Sequence, residues 1–185
     1  MADCRKSFGP LAPLIGVWTG TGVDIAPNGK GGKSSTPFLQ QITLEVIPLL
    51  TFGGQTVRAS RYKCLDWGIE EEPKPQSMVP VYEENGYFLW FPESNAIVLQ
   101  ISNPRGLSIM ASGSPKPDDS FTVTADPEHV RMTGALQTFQ HVVGYAASVE
   151  YLGADSIRYT NDTLLKLPDH SVFHQTDTTT LRRFP

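Results

Sequence analysis

The sequence predicts an all-β protein: a closed antiparallel up-and-down β-barrel of about ten strands with a short N-terminal cap. Three observations carry that expectation. Apolar and polar residues alternate with period two along most of the chain, helical periodicity is almost absent, and turn residues recur between the alternating runs. The 16 glycines and 15 prolines supply that punctuation, and a hydrophobic content of 39% suffices for a core, so disorder is excluded as the main state. A length of 185 residues suits one domain spanning residues 1–185.

The elements follow in order. The first strand runs from Ile15 to Ala26, with Ile15, Val17, Thr19, Thr21, Val23 and Ile25 on one face. The other face reads Gly16, Trp18, Gly20, Gly22, Asp24. Three glycines around a tryptophan weaken an ordinary strand and suit close backbone approach or a sharp bend at a barrel corner. Asn28 to Ser35 reads as a glycine-rich loop. The next strand is Phe38 to Ile47, and Gly53-Gly54 marks a turn. Gln55 to Leu65 alternates Val57, Ala59 and Arg61 against Thr56, Arg58, Ser60, Tyr62 and Cys64. Glu70 to Pro75 is charged, proline-rich and expected to be a solvated loop.

Shorter strands are expected at Met78–Tyr82 and Gly86–Phe91, with Asn85-Gly86 as a two-residue hairpin between them. Ala96–Ser102, Leu107–Ser112 and Phe121–Ala125 follow. Asp126 to Val143 fits either a helical turn after Asp126-Pro127 or an irregular loop. The last three strands, Gly144–Leu152, Ser156–Leu167 and Ser171–Phe184, are joined by connections short enough for hairpins. Closing such a meander on itself removes both exposed edges, which favours a barrel over the alternative of a sandwich.

Several function classes are disfavoured. A net charge of −4 with no basic run longer than two residues argues against nucleic acid and against an anionic membrane surface. No apolar stretch approaches the ~20 residues needed to span a bilayer, and the proline-broken N-terminus does not read as a signal peptide. Cys4 and Cys64 lack metal-ligand spacing and suit reduced thiols in the cytoplasm. No nucleophile elbow, zinc helix, Cys-x-x-Cys pair or phosphate loop occurs, so a binding protein is expected rather than an enzyme. The partners expected are a small-molecule ligand and, at most, a second copy of the chain in a homodimer.

The segment Pro10-Leu11-Ala12-Pro13-Leu14-Ile15-Gly16-Val17-Trp18-Thr19-Gly20-Thr21-Gly22 resembles the opening of the nitrobindin-like, or fatty-acid-binding-protein-like, heme-barrel family. Thr179-Thr180-Leu181-Arg182-Arg183 is similar to that family's terminal strand. The central Gly86-Tyr87-Phe88-Leu89-Trp90-Phe91-Pro92 and Pro104-Arg105-Gly106-Leu107 resemble a bacterial subgroup of these calycin-type barrels. The resemblance implies a cavity for one ligand, and in heme-binding members an iron-holding histidine on the last strand. Counted back from Leu181, that position falls on or beside Thr176, where the chain carries Gln175 and Thr176, neither a usual axial donor. The nearest histidine, His174, shares a face with Thr176, Thr178, Thr180 and Arg182 and lies two residues, about 6–7 Å, along the strand.

From these residues the expected ligand-binding set is Trp18, Arg61, Arg105, His174, Thr176 and Thr178, with His174 the candidate for heme iron. The even-numbered face of the last strand is expected to look into the lumen. Arg61, alternating with Val57 and Ala59, is expected on an inward apolar face, and Arg105 to reach across the barrel mouth. Three functional readings stand: a carrier of an apolar or amphipathic small molecule, a heme protein handling nitric oxide or peroxynitrite, and a structural barrel filled by its own side chains.

Overall fold

Strands that bury one face and pair along both edges have nowhere to end except against each other, and this chain closes accordingly. A computed structural model describes residues 7–48, 50–69, 80–133 and 141–185. Its strands are β1 (Gly16–Pro27), β2 (Lys33–Val46), β3 (Leu50–Phe52), β4 (Gln55–Gly68), β5 (Tyr82–Phe91) and β6 (Ala96–Ser102). They continue with β7 (Leu107–Pro115), β8 (Phe121–Ala125), β9 (Val130–Met132), β10 (His141–Gly153), β11 (Ser156–Lys166) and β12 (Val172–Arg183). Ten form an antiparallel ring in the order β1-β2-β4-β5-β6-β7-β8-β10-β11-β12, which the β12–β1 ladder closes. The two short extras sit outside the ring, β3 on β4 and β9 on β7. Tight turns are set by left-handed residues: Gly53 and Gly54 before β4, Asn95 before β6, Asp119 before β8 and His170 before β12.

The barrel class is as the alternation predicts, with two corrections. β2 begins at Lys33, inside the stretch Asn28 to Ser35 expected as a loop, because Lys33, Ser34 and Ser35 pair with β1. Asn85-Gly86 is not a hairpin. β5 runs unbroken through it, Gly86 pairing with Tyr62 on one side and Ile101 on the other. A Cβ on Gly86 would overlap the carbonyl oxygen of Gln100, so the glycine serves close strand approach instead of a turn. The predicted Glu70–Pro75 loop and the start of the predicted Met78–Tyr82 strand lie outside the described residues. The described residues of Asp126 to Val143 include the 3-10 turn Pro127–His129, followed by β9.

Register decides which side chains fill the barrel. β1 meets β12 with Trp18 opposite Arg183, Gly20 opposite Leu181, Gly22 opposite Thr179 and Asp24 opposite Asp177. Because Trp18 points inward, so do the odd-numbered residues of β12. The N-terminal 3-10 turn, Gly9–Leu14, plugs the end where β1 begins and buries Leu11 and Leu14. Trp18 packs beneath it, its indole N–H donating to the Leu14 carbonyl at 2.8 Å, with the Arg183 guanidinium 4.3 Å from the ring centroid. From there inward the lumen is solid: Tyr62, Phe88 and Phe121 meet edge to face with centroids 5.5 and 5.9 Å apart, among Ile97, Leu99, Val123 and Ile157.

Truncating the plug tests its weight. Trp18→Ala leaves a cavity between cap and barrel and is expected to cost about 3–5 kcal/mol, lowering the melting temperature by roughly 10 °C. A loss below about 1 kcal/mol in denaturant titration would show that the cap contributes little.

Candidate functional site

The packed core stops short of the barrel end opposite the cap. There the lumen opens into a cavity of about 340 Å³, at the small end of the range that holds organic ligands, roughly 300–1,000 Å³. Its apolar walls are Phe38, Leu107, Met132, Val142 and Leu165, and Tyr82, Asn103 and Arg105 line its rim. Gly22 makes room for one wall: a Cβ there would collide with the Phe38 ring and the Thr179 hydroxyl.

The acids lining it, and one amide, come from three strands. β1 contributes Asp24, β12 contributes Gln175 and Asp177, and β4 contributes Asp66. Asp24 and Asp177 face each other across the β1–β12 ladder and form a hydrogen-bonded carboxyl pair. Burial pushes Asp177 up to about 8, helped by the adjacent Asp24 carboxylate, so Asp177 keeps its proton near neutrality. Burial also raises Asp66, to about 6, against the pull of hydrogen bonds from Gln40 and Cys64. Amide donors fix these carboxylates: Gln175 Nε2 donates to Asp24 Oδ1 at 3.1 Å and Gln40 Nε2 to Asp66 Oδ1 at 3.0 Å. Among the described residues no basic side chain forms an ion pair with Asp24, Asp66 or Asp177.

Deeper in the barrel lies a fourth acid. Glu84 is fully buried and accepts hydrogen bonds from Tyr62 at 2.7 Å and Tyr82 at 2.9 Å, while burial holds its carboxyl above the usual range. Tyr62 also meets the Tyr159 hydroxyl at 3.2 Å, and Tyr145 donates to Asn161 at 2.9 Å. Asn103 donates to the Tyr82 hydroxyl at 3.3 Å, linking the rim to this network.

The expected site residues separate. Arg105 does reach the mouth, its guanidinium 5.5 Å from the Tyr82 ring centroid. Trp18 faces the lumen but belongs to the plugged end, away from the cavity. The even-numbered face of β12 points outward, the reverse of the expectation, because the register with β1 commits the odd face to the interior. Thr176, Thr178 and His174 therefore sit on the outer wall. The His174 side chain is 64% exposed, its Nδ1 2.9 Å from Asp162 Oδ2. Arg61 also points out, 63% exposed and paired with Glu45 at 2.9 Å. It does share a face with buried Val57 and Ala59, but that apolar face is the outer one, beside β3 and apart from the luminal core.

Sequence reading passed over Asp24, Asp66, Asp177, Gln175 and Gln40. The available signal was acids standing on faces otherwise occupied by Trp18, by Tyr62 and Cys64, or by Phe173 and Leu181. Carboxylates on such faces are either errors in facing or functional.

These residues do not fit a heme. All four histidines are exposed. The axial-donor types lining the cavity are Met132, whose sulfur accepts the Val142 N–H at 3.4 Å, and Tyr82, whose hydroxyl is held by Glu84 and Asn103. Burial pushes the Cys64 thiol up, against the thiolate an iron requires.

The acids give a testable pH signature. Asp66 and Asp177 bind protons more tightly folded than unfolded, so the stability they confer is complete below about pH 4 and is lost as pH rises through 6 and 8. Asp177→Asn is expected to leave the melting temperature unchanged at pH 4 and raise it at pH 8.5 by about 4 °C, roughly 1–2 kcal/mol. A variant that is equally displaced at both pH values would mean Asp177 carries its charge without penalty.

Comparison with known proteins agrees with the architecture. The crystal structure of Rv2717c from M. tuberculosis superposes with a TM-score of 0.64 at 15% identity, covering 100% of this chain and 99% of that one, a likeness of fold alone. No curated protein matches the sequence. Among the described residues no helix is long and apolar enough to cross a membrane. Residues 7–183 match the family described as "THAP4-like, heme-binding beta-barrel domain", and the chain therefore belongs to that family.

Proposed function

We propose that this protein binds one small amphipathic organic molecule in the open half of its barrel, as a cytoplasmic carrier or sensor, without iron. The observation that carries the reading is the cavity of about 340 Å³ with apolar walls and carboxylates reaching in from β1, β4 and β12. A barrel whose lumen is filled throughout by its own side chains would have packed this end as it packs the other, where Tyr62, Phe88 and Phe121 leave no such space. Membership of a heme-binding family supports a ligand in the lumen, whereas the outward histidines give heme itself no axial ligand here.

Native mass spectrometry and thermal shift with medium-chain alcohols, amines, fatty acids, aromatic acids and hemin test this. At least one amphipathic class is expected to bind and stabilise the barrel. Leu107→Trp, at the partly exposed wall, is expected to fill the cavity and weaken that binding about tenfold or more while the barrel still folds. Hemin is expected to give no Soret change that depends on His174. A Soret band lost in His174→Ala, or no stabilisation by any class, would count against the reading.

A further inference from the structure

From the open half of the lumen, and resting on the carrier reading above, we infer that the ligand's polar end is an organic cation. A primary ammonium on a short apolar body would seat between Asp24 and Asp177, with Asp66 beside it.

The first argument is charge. Three carboxyl groups from three strands line one cavity, and no basic side chain among the described residues pairs with any of them. Carboxyls withdrawn from water ordinarily acquire a cationic partner or stay protonated. In the ligand-free barrel the second solution operates at Asp177, whose carboxyl retains its proton. An entering ammonium replaces that proton and supplies the missing charge.

The second argument is an unused acceptor. Gln40, 3% exposed, donates its amide N–H to Asp66, while its Oε1 finds no donor among the described residues. Gln40 does not itself line the cavity; it stands behind Asp66, which does. An ammonium is three donors and no acceptor, matched to the three carboxyls that line the cavity. Those carboxyls repel a carboxylate or a phosphate. Among the described residues no group of His, Cys, Asp and Glu converges closely enough to hold a metal ion, which leaves a cation held by hydrogen bonds. Among the described residues the cation lining the cavity is Arg105, held at the rim against Tyr82.

The test compares three ligands with one body: n-octylammonium, n-octanol and n-octanoate, titrated calorimetrically into the full chain at pH 7.5. Octylammonium is expected to bind at least about tenfold more tightly than octanol, and octanoate more weakly than either. In Asp24→Asn/Asp177→Asn the ammonium-to-octanol ratio is expected to fall to about one, with circular dichroism confirming the barrel. Asp66→Asn, on another strand, serves as a second variant and is expected to lower the ratio several-fold. Octanol binding as well as octylammonium, or a ratio unmoved by these substitutions, would overturn the cation while leaving the carrier reading intact. Failure of all three ligands, with the wider panel also silent, would overturn both.

Discussion

The whole arrangement depends on the register of the ladder that closes the barrel. Trp18 opposite Arg183 and Asp24 opposite Asp177 are two ends of one pairing, and side chains alternate with period two. A slip of one residue would exchange Leu181, Thr179, Asp177 and Gln175 for Arg182, Thr180, Thr178 and Thr176 at the lumen. The plug holds the register from one end. Trp18 is clamped between the Leu14 carbonyl and the Arg183 guanidinium, and Arg183 also donates to the Ile15 carbonyl at 2.9 Å.

With the register set, the barrel divides along its axis into two environments. Toward the cap, aromatic and branched side chains interlock as in any dense core. Toward the open end, glycine on β1 and the carboxylates of β1, β4 and β12 replace them, and the lumen widens into a cavity. Glu84 sits between the two, tied upward through Tyr82 and inward through Tyr62. An acid cluster this enclosed costs stability, since folded carboxyls must either retain protons or give up water. Such a cost is retained around the cavity, at the barrel end opposite the cap.

Much of the fold was legible because alternation and turn chemistry act locally. β1, β4, β6, β8 and the last three strands fall close to where the pattern puts them. The Asn85-Gly86 error shows the limit: a dipeptide that suits a hairpin also suits a strand whose neighbour's backbone, at Gln100, leaves no room for a side chain. The site was less legible, because facing is not a local property. Both faces of β12 carry polar residues, and only pairing with Trp18's strand says which is inside. Arg61 failed for a related reason: Val57 and Ala59 are buried, but their face of β4 is the one turned away from the luminal core.

Isotope-filtered nuclear Overhauser contacts between a bound octyl chain and the labelled protein measure the central claim directly. The account predicts contacts to Phe38, Met132, Val142 and Leu165, with the ligand's polar end nearest Asp24 and Asp177. Contacts to Thr176, Thr178 or His174 on the outer wall, in place of these, would contradict it.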